Sequence, residues 1–208
     1  MSDELEAPTK AQIARLEPFH GLPLEKVFVP ASQEQFAAAA HDLARCRFVG
    51  FDTESKPVFR KGEISDGPHI VQLATADKAY IFQLHRTDCH AVLARLLEST
   101  HLIKAGFGLI SDQRRLRRKF GIKPRAILDL NAVFRRDGYR KEIGARAAVA
   151  IMFKQRLRKS KSLSTSNWAL PLLKSNQLLY AANDAYAALK VLQALKRPES
   201  ELPILHLN

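Results

Sequence analysis

Apolar and polar positions along the chain follow two rhythms, and each predicts a different kind of element. In RFVGFDTES, Phe48, Val49 and Phe51 surround Gly50 in a short apolar run, which predicts a buried strand ending near Asp52. Residues 70–75 and 79–84 form two more β-type runs, separated by polar residues 76–78, and predict a hairpin. Between the first strand and this hairpin, Pro57, Gly62, Gly67 and Pro68 mark an irregular loop. Helical spacing dominates elsewhere. The alanine-rich run after Pro30 has Ser32 as its expected N-cap. CHAVLARLLEST reads as a helix capped by Asp88, and SDQRRLRRKFG as one capped by Ser111 and stopped by Gly121. HLIKAGFG between them reads as a strand, ILDLNAVF as a short strand or helix, and RKEIGARAAVAIMFKQRL as a helix. A Ser- and Lys-rich loop, residues 158–173, leads into a long helix from Lys174 to about Leu195. Residues 1–30 hold four prolines and one short helical stretch, and read as a partly ordered N-terminal extension to a domain spanning 31–208. Early strands followed by alternating helices and strands predict a mixed α/β domain.

Composition narrows the class. The chain has 208 residues, 46% of them hydrophobic and 26% charged, which is ordinary for one globular domain. Its two cysteines exclude a disulfide scaffold, and no Cys/His spacing reads as a zinc site. The acidic start is no secretory signal, and no apolar run approaches the ~20 residues of a membrane helix, so a cytoplasmic protein with no membrane association is expected. There is no GxxxxGK[ST] and no GxGxxG after a strand.

Charge points to a partner. The net charge is +12, and a balance this basic suits a polyanion such as nucleic acid, though it also serves solubility. The excess is concentrated. Residues 104–161 hold 18 Lys and Arg against four acidic residues, a net of +14.

Acidic residues are therefore informative. Asp52 and Glu54 lie two apart on a predicted strand, so both side chains share one face. Alone, such a pair also fits two solvated carboxylates at a strand end. Asp112 falls in the first turn of a helix, where it can cap or favour the dipole. Asp184 sits in an apolar, alanine-rich helix, with Tyr180 one turn earlier on the same face. It reads equally as a surface Asp beside a core Tyr.

Taken together, the segments FDTE, KAGFGLISDQRRL and YAANDAY resemble the three motifs of the DEDD-type 3′–5′ exonucleases, a family that includes the Werner helicase exonuclease domain and ribonuclease D. The likeness runs from about Phe48 to Leu195. A tyrosine at position 180, where a sister subclass has histidine, places the chain with the DEDDy branch. The resemblance implies a ribonuclease H-like mixed sheet flanked by helices, and a catalytic set of Asp52, Glu54, Asp112, Tyr180 and Asp184. It implies two Mg²⁺ or Mn²⁺ ions held by the four carboxylates, with Asp52 shared, and Tyr180 aiming the attacking water. The implied substrate is the 3′ end of DNA or RNA, released as nucleoside 5′-monophosphates; the competing reading is a catalytically inactive nucleic-acid-binding module on the same fold. Lys159 and Lys161, then Thr53 and Phe107, are the expected nucleic-acid contacts, and Trp168 is expected in the core.

Overall fold

The computed structural model describes residues 5–58 and 66–205. In chain order the elements are α1 (Lys10–Ala14), β1 (Glu17–Pro18), β2 (Val27–Phe28), α2 (Gln33–Ala44), β3 (Phe48–Glu54), β4 (Ile70–Ala74), β5 (Ala79–Gln83), α3 (His90–Glu98), β6 (Ile103–Gly106), α4 (Ile110–Phe120), β7 (Ile127–Asp129), α5 (Leu130–Arg136), α6 (Ala145–Phe153), β8 (Gln155–Arg156), α7 (Lys161–Ser164) and α8 (Ser175–Leu195). Six strands make one mixed sheet in the order β2-β5-β4-β3-β6-β7. β3 to β5 form an antiparallel meander, while β6 and β7 continue parallel to β3. This is the α/β, ribonuclease H-like architecture expected.

Strand alternation sorts the core into two layers. Val49 and Phe51 of β3, with Val71 and Leu73 of β4, pack beneath α2, α3 and α4. On the other face, Ile70 and Ala74 meet Ala181, Ala182 and Ala185 of α8. Gly50 makes that second contact close. A Cβ built on it would lie 1.8 Å from the carbonyl oxygen of Ala185, so the absence of a side chain lets the helix backbone sit on the central strand. β3 runs two residues further than expected, carrying Glu54 into regular pairing with Ile70.

Several elements differ from the sequence expectation for identifiable reasons. Asp88 lies inside a 3₁₀ turn, Thr87–Cys89, and α3 starts after it without a side-chain cap. Ser111 is one residue inside α4, whose entry is bonded instead by Asp129: its carboxylate accepts from the backbone N–H of Gly108 at 3.2 Å and of Leu109 at 3.1 Å. ILDLNAVF is both things in turn, a strand ending at Asp129 and a helix capped by it, with the Asn131 N–H donating at 3.0 Å. The helix expected over residues 140–157 is shorter, Ala145–Phe153, because Lys154 turns left-handed at φ 55°. Gly121 stops α4 in the left-handed conformation, as expected. In the expected loop before β4, residues 59–65, including Gly62, lie outside the described residues.

Residues 5–30 are fastened along the domain. Val27 and Phe28 pair with β5 as the edge strand of the main sheet, β1 pairs with β8, and Leu22 and Ile13 are buried. Asn183 of α8 clamps this segment: its Oδ1 accepts from the Leu22 N–H at 2.7 Å and its Nδ2 donates to the Leu22 carbonyl at 3.3 Å.

Candidate active site

Asp52 and Glu54 leave the last turn of the β pleat on the α8 face, as the spacing requires. α8 lies across that face, held there by Gly50, and brings Asp184 to them. Carboxylate oxygens of Asp52, Glu54 and Asp184 all lie within 4.8 Å of one another. Tyr180, one helical turn before Asp184, is buried beside it and touches Trp168, the rings 5.9 Å apart. Trp168 is a core residue, as expected.

Asp112 stands apart from this group. It is buried at the start of α4, on the opposite side of the sheet, and accepts a 2.5 Å hydrogen bond from the Thr53 hydroxyl. Thr53 faces away from Asp52 and Glu54 because it is the residue between them. Asp112 and Asp184 thus flank the end of β3 from its two faces.

The other expected contacts divide. Lys159 is in the site, but on a carboxylate: its ammonium lies 2.9 Å from Asp184 Oδ2. Lys161 is exposed at the first residue of α7. Phe107 follows β6 and stacks on Phe134 with centroids 6.5 Å apart, which ties it to the core cluster under α6 and α8. Of the basic segment, Lys104 is fully buried, donating to the carbonyls of Ser99 and Leu102 at 2.7 and 2.6 Å, so it adds nothing to a surface charge. Gln72 is a residue the sequence reading passed over. It is the cross-strand neighbour of Asp52, fully buried, and neither atom of its amide has a hydrogen-bond partner among the described residues. A glutamine inside the apolar run IVQLA was the available signal.

Electrostatics make the site costly when it is bare. Burial, then the charge of Asp184, pushes Asp52 up to about 7 despite Lys159. Burial, then Asp52 and Asp184, pushes Glu54 up to about 9. Burial raises Asp184 and Asp112 as well, against the Lys159 ammonium and the Thr53 hydroxyl respectively. Burial and the adjacent carboxylates keep the Tyr180 phenol protonated. Lys159 stays charged: burial alone would lower its pKa, but Asp184 and Asp52 more than compensate. Acidic oxygens that repel one another at this range fit a hard divalent cation, which prefers an all-oxygen donor set.

A mixed six-stranded sheet with acids gathered at the end of β3 is the arrangement that the likeness to the 3′–5′ exonucleases implies. Comparison with known proteins agrees. Residues 27–198 match the family described as 3′-5′ exonuclease. The chain is 32% identical over 170 residues to the mouse bifunctional 3′-5′ exonuclease/ATP-dependent helicase WRN, covering 75% of this chain and 12% of that protein. It is 30% identical over 158 residues to an Arabidopsis thaliana 3′-5′ exonuclease, covering 74% of this chain and 54% of the other. The Aedes aegypti Nibbler EXO domain superposes with a TM-score of 0.71 at 26% identity, over 86% of this chain and 91% of that one. Trypanosoma brucei RNase D in complex with RNA U12 shares the fold, with a TM-score of 0.73 at 18% identity, over 93% of this chain and 66% of that one. The chain belongs to the 3′-5′ exonuclease family, and it spans about half or less of the length of the two curated relatives above. Among the described residues no helix is long and apolar enough to cross a membrane.

Proposed function

We propose that this domain hydrolyses the terminal phosphodiester at the 3′ end of a nucleic acid and releases nucleoside 5′-monophosphates. The observation that carries the reading is the convergence of Asp52, Glu54 and Asp184, from a strand and a helix far apart in sequence, to within 4.8 Å. These three carboxylates would hold Mg²⁺ or Mn²⁺, with Asp112 joining from the other side of β3 to support a second ion. Such a pair of ions supplies an activated water and charge stabilisation at the reacting phosphate.

The chain's own side chains do the rest. Tyr180 keeps its proton at neutral pH, so it orients the attacking water through hydrogen bonding and is no general base. Thr53 holds the Asp112 carboxylate in place. Lys159 neutralises part of the acidic cluster and would meet the phosphate of an incoming strand as the carboxylates turn to the metal. Lys161, exposed two residues on, adds a sequence-independent backbone contact. Cys46 and Cys89, both unpaired thiols, suit a reducing, cytoplasmic setting.

The test is a 3′-labelled DNA or RNA oligonucleotide with and without Mg²⁺. Mononucleotide release that needs metal, and that Asp52→Ala and Asp184→Ala each abolish, is the expected result. Binding without cleavage by the wild type would leave only a nucleic-acid-binding module. A second readout is thermal: Mg²⁺ raises Tm because it binds the folded state alone, and Asp52→Ala removes most of the rise.

A further inference from the structure

Helix α4 carries charge on two opposite sides, and only one of them belongs to the site. Asp112, Arg115 and Leu116 share the face turned toward the sheet, where Arg115 donates to Ser55 Oγ at 3.3 Å. Ile110, Arg114 and Arg117 share the reverse face, since three and seven residues bring a helix back to the same side. That reverse face lines a groove of about 400 Å³ together with Lys123, Arg125 and Leu205.

Four cations therefore line one concavity, contributed by a helix and by the loop that follows it. Among the described residues no acidic side chain lines the groove, and no ion pair involves Arg114, Arg117, Lys123 or Arg125. Glu98 accepts from the backbone N–H of Lys123 at 2.9 Å, so one carboxylate borders the loop that carries Lys123. Here four side chains of one sign line a single depression, which suits an anion. The groove also has apolar walls: Ile110 is 57% exposed and Leu205 46%. Cations along a depression suit the phosphates of a nucleic-acid backbone, with the aliphatic carbon left beside them.

We propose that this groove is a second nucleic-acid-binding site, which holds the backbone of a substrate strand away from its 3′ end. The inference rests on the exonuclease reading for the origin of the strand. A helix is about 10 Å across, so a strand with its end at Asp112 must pass around α4 before it reaches Arg114 and Arg117. Only substrates longer than a few nucleotides can occupy both places. The groove thus favours long strands without taking part in cleavage.

The experiment compares wild type with Arg114→Gln/Arg117→Gln and with a charge-matched control on other helices, Arg45→Gln/Arg95→Gln. Steady-state hydrolysis is measured on a trinucleotide and on a single strand of about 20 nucleotides. Each phosphate contact on a single strand contributes a salt slope of about 0.7, or a factor of about four near 0.15 M salt. The groove variant is expected to raise KM for the long strand about tenfold with kcat unchanged, to leave the trinucleotide unaffected, and to leave the control at wild-type values. In parallel, anisotropy of the labelled long strand in EDTA should show the salt slope of binding reduced by about 1.4. Equal effects on both lengths would put these arginines at the cleavage site, and no effect, or an equal loss in the control, would also overturn the proposal. If the wild type cuts nothing, the exonuclease reading fails and the EDTA arm alone decides whether the groove binds nucleic acid.

Discussion

Gly50→Ala tests the contact that assembles the site. The added methyl would begin 1.8 Å from the Ala185 carbonyl oxygen, and the next atom behind it, the Ala185 carbonyl carbon, is at 2.6 Å. Both belong to the helix backbone, so no side-chain rotation relieves the clash. Restoring even 3.0 Å needs α8 to move at least 1.2 Å from β3. Overpacking of this kind costs about 1–3 kcal/mol, which lowers Tm by roughly 2–12 °C in a domain this size. Asp184 is the residue before Ala185, so the same movement carries its carboxylate away from Asp52 and Glu54. Displacing a catalytic group by about 1 Å costs on the order of 100-fold in rate. The variant should therefore lose more activity than its Tm accounts for when assayed well below its melting point. Gly144→Ala is the internal control, because a Cβ there meets nothing within 4 Å and the backbone φ of −73° suits any residue. A Gly50→Ala protein with wild-type Tm and wild-type kcat would refute the claim that strand–helix contact sets the carboxylate spacing.

Burial of the acids and the clamp on residues 5–30 each have a measurable consequence. Glu54 and Asp52 hold protons in the folded chain that they release when it unfolds, so each stabilises fully below about pH 4 and loses that contribution as pH rises toward 7 and 9. In EDTA the wild type should lose Tm relative to Glu54→Gln between pH 5 and 9, and parallel curves would contradict the burial of that carboxylate. Asn183→Ala removes both bonds to Leu22 and should cost about 1–2 kcal/mol, read as a lower Tm and faster proteolysis within residues 5–24; unchanged proteolysis would mean the segment is held by its apolar contacts alone.

Much of the site was legible because its residues obey the two periodicities of secondary structure. Asp52 and Glu54 had to share a face if their segment was a strand, and Tyr180 and Asp184 if theirs was a helix. What one sequence could not display is contact across elements. Thr53 was read as a nucleic-acid contact, yet its hydroxyl meets Asp112, 59 residues on. Lys159 was read from its local charge run as a phosphate contact, whereas its immediate partner is Asp184. Lys104 counted as one more surface cation until the fold buried it under two carbonyl oxygens. The edge strand Val27–Phe28 has two residues, too few for any period to show, and is defined by its pairing with β5 alone. Asp129 was likewise invisible as the support of α4, because its bonds to Gly108 and Leu109 cross about 20 residues.

The placement of charge also separates what holds this fold from what the fold is for. The apolar layers on both faces of the sheet would close as well over neutral residues at positions 52, 54 and 184. Burial and mutual repulsion oppose ionisation of these acids, and among the described residues the one side-chain ammonium within ion-pair distance of the three is Lys159. One positive charge cannot balance three negative ones, so the bare site either keeps protons near neutrality or remains unfavourable. Divalent cations change that balance in one step, by favouring the ionised form of every carboxylate they touch. The same term that weakens the metal-free protein then strengthens the loaded one. The groove behind α4 gathers the opposite sign, with Arg114, Arg117, Lys123 and Arg125 in no ion pair among the described residues. On the proposed function, the acids at the end of β3 and the bases behind α4 would take the end and the body of one polyanionic strand.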